Sequence, residues 1–171
     1  MPSAASTVER MSPAERIASL QIAGLYALRM LGLFMVLPVL ALYARDLPGA
    51  TPFKLGLALG IYGLPQALLQ IPFGSLSDRL GRKPMLLIGL ALFGIGSLIA
   101  GLGPGIEAII LGRALQGAGA ISAVLSALLA DLTRPEQRTK AMAIVGVTIG
   151  TSFSLSMFLG PVLDRAMGVR G

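Results

Sequence analysis

The sequence predicts an all-α membrane protein with about five transmembrane helices. Apolar residues make up 54% of its 171 residues, charged residues only 13%, and the mean hydropathy is +0.80. A soluble domain carries about 25% charged residues. The apolar residues form five runs, each near the roughly 20 residues that cross about 30 Å of hydrocarbon. We expect the helices at about residues 17–43, 55–76, 84–103, 106–129 and 141–163.

The first run is the longest, so its helix can tilt or extend beyond the bilayer. Residues 1–16 before it are polar, with Glu9, Arg10, Glu15 and Arg16. A secretory signal is not expected, because the apolar run is too long for a signal core and no cleavage site follows. We therefore predict a short cytoplasmic tail.

The basic residues between the runs predict the orientation. With the N-terminus inside, eight basic residues are cytoplasmic and four are external, as the positive-inside rule requires. The inside set is Arg10, Arg16, Arg79, Arg82, Lys83, Arg134, Arg138 and Lys140, and the outside set is Arg45, Lys54, Arg165 and Arg170. We expect a multi-pass protein of the bacterial inner membrane with a cytoplasmic N-terminus.

The charge and composition disfavour several functional classes. The net charge of +6 could indicate nucleic-acid binding, but the cations are scattered at the ends of apolar runs, so a lipid bilayer is the expected partner. Because the chain has no cysteine and no histidine, we expect no disulfide and no metal site or cofactor. No nucleophile–base set or phosphate-binding loop is present, so an enzyme is disfavoured.

The turn after the second run, residues 74–84, is rich in glycine and basic residues. Charged residues are costly in hydrocarbon, so this turn is expected at the water interface. Its pattern G-x-L-x-D-R-x-G-R-K resembles the signature that joins the second and third helices of major facilitator superfamily transporters. All seven fixed residues over ten positions are present: Gly74, Leu76, Asp78, Arg79, Gly81, Arg82 and Lys83.

The fourth and fifth runs carry further resemblances to this family. The fourth is similar to its R-x-x-Q-G-x-G-A signature through Arg113, Gln116, Gly117 and Gly119. In the fifth, Gly160 and Pro161 match only the centre of the antiporter signature G-x-x-x-G-P-x-x-G-G, because Ser156 and Asp164-Arg165 depart from it. The amino-acid sequence at residues 28–40, 70–74 and 131–133 resembles the YajR-type drug-efflux subgroup in particular.

The resemblance implies a fold of twelve helices in two halves, each half built from inverted three-helix repeats. Five helices correspond to a partial N-terminal half, so the second half is expected to be needed for transport. The resemblance implies secondary active, proton-linked efflux of small lipophilic molecules. The alternative is a truncated membrane protein that does not transport, or a small homo-oligomeric half-transporter.

The resemblance also implies roles for the charged residues of the cytoplasmic face. Asp78 would hold an opposing helix of the second half, and Arg82 with Asp131 and Arg138 would form a charge relay. The residues themselves suggest that Asp78 accepts N–H groups at a helix start and that Gly74 and Gly81 allow positive φ or close approach. Arg79, Arg82 and Lys83 could instead only anchor lipid phosphates.

Two arginines fall inside predicted helices, where a charge costs at least about 2.5–3.5 kcal/mol. We expect Arg29, near the middle of the first run, to face a water-filled cavity or to pair with an acid, and Arg113 lies about two turns into the fourth run from its outer end. Their functional interpretation is substrate contact or, for Arg113, proton coupling. The alternative is an interhelical ion pair or hydrogen bonding to backbone carbonyls.

The second run has polar residues every four positions, on one face of a predicted helix. They are Tyr62, Gln66, Gln70, Gly74 and Asp78, and they are candidates for a central cavity or for polar contacts between helices. Gly117 and Gly119 predict close helix packing. No Asp or Glu lies in the middle of a run, so the sequence leaves the proton carrier open.

Overall fold

The computed structural model describes residues 10–43 and 47–167, and all regular structure in those residues is helical. The helices are α1 (Pro13–Tyr43), α2 (Pro52–Gly60), α3 (Gly63–Leu80), α4 (Arg82–Leu102), α5 (Ile106–Ala118), α6 (Ile121–Asp131) and α7 (Arg138–Met167). A 3-10 turn, Pro135–Gln137, precedes α7. Outside the described residues lie Glu9, Arg45, Asp46 and Arg170, together with the side chains of Asp164 and Arg165.

Five segments of the described chain are long and apolar enough to cross a membrane, in agreement with the predicted fold class. They are Pro13–Met35, Pro52–Leu80, Arg82–Leu102, Ile106–Asp131 and Pro135–Val162. Many large apolar side chains on these segments are exposed, among them Leu28, Ile71 and Phe158. Apolar surface of this extent is typical of a face that meets lipid or another protein segment.

The first helix begins earlier than predicted, at Pro13 and not at residue 17. Ser12 and Glu15 form a capping box: the Glu15 N–H donates to Ser12 Oγ (3.2 Å), and the Ser12 N–H donates to Glu15 Oε2 (2.8 Å). Pro13 is favourable at the first helical position because its missing N–H has no helical partner there. The last residues of the predicted tail are therefore helical.

The second predicted helix is in fact two, α2 and α3, separated at Ile61–Tyr62. Pro65 explains the break, since it lacks the N–H that would bond the Ile61 carbonyl and its ring crowds that oxygen. Gly60 and Gly63 flank the break and lower the local helix propensity. Our prediction of one continuous helix was wrong here.

The fourth predicted helix is also divided, into α5 and α6, at Gly119–Ala120. The Ile121 N–H donates to the Gly119 carbonyl at 2.7 Å, and the residue between them, Ala120, has φ −66° and ψ 56°, the geometry of an inverse γ-turn. No proline lies nearby, so composition gave no sign of this break.

The two broken segments pack against each other and against α4. α3 packs on both α5 and α6, and α2 packs on α5, while α4 lies along α5 and also contacts α6. α1 lies along α7. The main core joins α1, α4, α6 and α7 through residues such as Ile22, Met85, Val124 and Val145. A smaller cluster of Leu40, Ala58 and Ile106 lies at the α2–α5 end.

Candidate transport site

Arg82 is the centre of a charge cluster at the turn between α3 and α4. Its Nη1 lies 2.6 Å from Asp78 Oδ1 and donates to Ser77 Oγ at 2.6 Å, and its Nε donates to Asp131 Oδ2 at 2.9 Å. The cluster thus joins the ends of α3, α4 and α6. Asp78 and Asp131 remain more than half exposed, whereas Arg82 is only 20% exposed. Both carboxylates can therefore reach a further partner.

Gly81 makes this cluster possible, because it is the single residue between α3 and α4 and has φ +97°. A side chain at this φ would be strained. Gly74 is different: it lies within α3, and an added Cβ would only make ordinary contact with Ala123 at 3.5 Å. The expectation of positive φ holds for Gly81 and is wrong for Gly74.

Asp78 does not cap a helix start, contrary to expectation. It lies in the last turn of α3, and the α4 N-cap, Gly81, has no side-chain cap bond. An acid at a helix C-terminus is unfavourable to the helix dipole, and the ion pair with Arg82 offsets this.

The remaining cytoplasmic motif residues stay outside the cluster. Leu76, Arg79 and Lys83 are exposed. Arg138 donates to the Ala130 carbonyl at 3.2 Å, and within the described chain it makes no ion pair with Asp131. The contact that joins Asp131 to a cation is made by Arg82.

A second ionic contact, which sequence reasoning missed, fastens α1 to the loop before α7. Glu15 Oε1 accepts from the Arg134 backbone N–H (2.9 Å) and from Arg134 Nε (3.1 Å). The Glu15 side chain is buried. The pattern Ser12-Pro-Ala-Glu15 signals the helix start, but nothing in the sequence indicates a partner 119 residues away.

Arg113 is buried and acts as a cap for α2. Its Nε and Nη2 donate to the Ala58 and Leu59 carbonyls (3.3 and 3.5 Å), and its Nη1 donates to the Leu33 carbonyl (3.1 Å). The carbonyls of Ala58 and Leu59 belong to the last turn of α2, which the break leaves in need of donors. Hydrogen bonding to backbone carbonyls, one of the two alternatives, describes its contacts.

Arg29 is equally buried, at 2% exposure, but is less well matched. Its Nη1 donates to Ser122 Oγ (3.1 Å) and its Nη2 to Tyr62 Oη (3.0 Å), whereas its buried Nε has no partner. The guanidinium carbon lies 6.0 Å from the Tyr62 ring centroid and 5.7 Å from that of Phe93, within cation–π range. Among the described residues, no acid forms an ion pair with Arg29 or Arg113, so the ion-pair alternative is not observed for either arginine.

Tyr62 lies between the two arginines and is separated from the other polar residues of the second run. It occupies the break before α3, so it is not on one continuous helix with the other members. Its ring centroid is 5.5 Å from the Arg113 guanidinium carbon. Gln66 is half-buried with an unpartnered Oε1, and Gln70 is exposed. Ser122, a partner of Arg29, carried no sequence signal within its apolar run.

The glycines of the fourth predicted helix lie at close helix contacts. A Cβ on Gly117 would overlap the Tyr62 carbonyl, and one on Gly119 would overlap the Gly89 carbonyl. Gln116 points to α4, where its Nε2 donates to Ser97 Oγ at 2.9 Å. These contacts agree with the packing interpretation of the small residues.

Gly160 and Pro161 lie where α7 crosses α1. A Cβ on Gly160 would come within 2.8 Å of Pro38 Cγ and 3.0 Å of the Met35 carbonyl oxygen. Both prolines are inside their helices. No cluster of acids that could hold a metal ion occurs in the described part of the chain.

Comparison with known proteins identifies the family. Residues 22–171 match the Major Facilitator Superfamily. The chain is 55% identical over 160 residues to the inner membrane transport protein YajR of Escherichia coli K12, covering 94% of this chain and 35% of that protein. It is 46% identical over 159 residues to an uncharacterized transporter of Buchnera aphidicola (93% and 41%). Over 132 residues it is 32% identical to the quinolone resistance protein NorA of Staphylococcus aureus (76% and 34%).

The chain spans between about a third and two-fifths of the length of these relatives. It is a multi-pass membrane protein, and its family is one of transporters and not of enzymes. The chain belongs to the major facilitator superfamily of membrane transporters.

Proposed function

We propose that this chain is the N-terminal part of a proton-linked exporter of small lipophilic molecules in a bacterial inner membrane, with its N-terminus in the cytoplasm. The region of residues 17–171 would form the partial transmembrane domain, preceded by a short tail. The observation that carries the proposal is the cluster of Asp78, Arg82 and Asp131, which joins three helix ends at the predicted cytoplasmic face.

The cluster could act as a cytoplasmic gate, because its two carboxylates are fixed by Arg82 and remain exposed to a further partner. Arg82 fixes Asp78 on one side while more than half of the Asp78 side chain stays exposed. An exposed carboxylate can attract the positive N-terminus of a helix from the second half, for about 0.3–1 kcal/mol and up to about 2 when partly buried. Such a contact would favour one conformation of the transporter over the other.

The names of two relatives support the membrane location and the export of drug-like molecules. One is an inner membrane transport protein, and another is a quinolone resistance protein. Export of a drug is a direct way to confer resistance. The exposed apolar faces and the two buried arginines are compatible with amphipathic substrates.

A chimera tests the proposal. This chain would replace the matching segment of the Escherichia coli relative, and dye accumulation and quinolone susceptibility would be measured in cells that lack their main exporters. We expect the chimera to lower dye accumulation, and a protonophore to abolish the effect.

The unaltered relative and an empty vector are the controls. If the relative exports and an inserted chimera does not, the assignment of this chain is wrong. If neither protein exports any compound tested, the efflux proposal itself is wrong.

A further inference from the structure

We propose that Arg29 is an anchor for an oxyanion, so that the transporter's substrates include lipophilic molecules with a carboxylate or a similar acidic group. This inference rests on the proposed transport function and deepens it to a substrate class.

Arg29 and Arg113 are equally buried but differ in their contacts. Each is at most 3% exposed. Arg113 directs Nε, Nη1 and Nη2 at backbone carbonyls that need donors, so its contacts are explained by the helix break. Among the described residues, Arg29 donates to two neutral hydroxyl groups and to no other group, and its Nε has no partner there.

A guanidinium has five N–H donors and carries its charge at any physiological pH. Burial of an ion without a counter-charge is costly, and removal of one hydrogen-bond partner from a buried charged group costs more than it does for a neutral one. Among the described residues no acid compensates Arg29. An anionic acceptor would both bond the free N–H groups of Arg29 and neutralise its charge. A carboxylate suits this role because its two oxygens can accept two parallel hydrogen bonds from the planar guanidinium.

The neighbours of Arg29 suit an amphipathic anion. Phe93 and Tyr62 provide aromatic surface beside the guanidinium. Gln66, half-buried with an unpartnered oxygen, lies in the first turn of α3 beyond the break that holds Tyr62, and Gln70, which is exposed, lies one turn further along α3.

The test uses three probes with the same apolar cage: 1-adamantanecarboxylate, 1-adamantanemethanol and 1-adamantanemethylammonium. Each is titrated calorimetrically into the 171-residue chain in neutral detergent micelles. We expect the carboxylate to bind at one site at least tenfold more tightly than the alcohol, with the ammonium weaker still. Arg29→Gln should remove this preference. Arg16→Gln is the matched control, because it removes an exposed charge from the same helix, and it should preserve the preference.

The inference is overturned if the alcohol binds as tightly as the carboxylate, if the carboxylate does not bind, or if the preference persists in Arg29→Gln. If Arg29→Gln does not fold, Arg29→Lys is the test. The lysine keeps the charge but lacks the planar guanidinium, so carboxylate binding should weaken severalfold. Unchanged binding would contradict the proposal.

A carboxylate side chain in the second half is the competing source of the anion. The same titration on the Escherichia coli chimera, which contains a second half, distinguishes the two sources. Carboxylate binding that is retained in the chimera supports a substrate site. Carboxylate binding that is lost in the chimera but present in the 171-residue chain overturns the substrate proposal. Failure of the efflux assay with intact carboxylate binding would reject the proposed exporter and not the oxyanion site.

Discussion

Gly117→Ala should destabilise the contact between the two helix breaks. An alanine Cβ would overlap the Tyr62 carbonyl oxygen and lie 3.0 Å from Tyr62 C and 3.2 Å from Tyr62 Cα. Because all three are backbone atoms, no side-chain rotation relieves the overlap. The helices must separate by about 1 Å, and overpacking of this kind costs roughly 1–3 kcal/mol.

Gly94→Ala is the matched control, since an added Cβ on Gly94 meets nothing within 4 Å and Gly94 lies within α4. It should be neutral or stabilise by about 0.5–1 kcal/mol through helix propensity. The free energy of unfolding of both variants would be measured in detergent micelles with increasing denaturant. Equal stability of Gly117→Ala and wild type would refute the close contact at Tyr62.

Three further predictions concern the ionic contacts, the topology and the activity of the chain. Glu15→Gln should lower the thermal midpoint more than Glu136→Gln, because Glu15 is buried against Arg134 whereas Glu136 is exposed; equal midpoints would contradict the role of the contact. A reporter fused after Gly103 should be periplasmic and one after Arg134 cytoplasmic, and the reverse pattern would overturn the topology. The 171-residue chain alone should not catalyse concentrative transport, because alternating access needs two bundles; robust proton-dependent efflux by it would instead indicate a homo-oligomer.

The sequence predicted the features that depend on composition and local pattern. The five apolar runs follow from hydropathy and run length, and a glycine in the turn after the second run indicated the positive φ that Gly81 adopts. The capping box of Ser12 and Glu15 indicates a helix start at Pro13, four residues before the start that the apolar run predicts.

Features that depend on tertiary contact were beyond such reasoning. The break at Gly119–Ala120 occurs where Gly119 meets the Gly89 backbone, and no local residue demands it. Arg29 and Arg113 look alike in sequence, yet only Arg113 meets the carbonyls that the α2 break exposes. The pairing of Glu15 with Arg134 likewise depends on how α1 approaches the α6–α7 loop.

The proposed gate at Asp78 is tested most directly by cysteine accessibility. This chain has no native cysteine, so a single cysteine at Gln70, which is exposed on α3, reports on the cytoplasmic side of a cysteine-free chimera. The Asp78 contact would stabilise the conformation that is closed to the cytoplasm. Loss of about 1 kcal/mol from that conformation changes its population ratio to the cytoplasm-open conformation about fivefold.

We therefore expect Asp78→Asn to raise cytoplasmic labelling by about that factor and to lower export substantially, while membrane insertion stays normal. Glu136→Gln, which removes an exposed acid outside the cluster, should change neither quantity. If labelling and export of Asp78→Asn both equal those of the unaltered chimera, Asp78 is a surface turn residue and the gating account is contradicted.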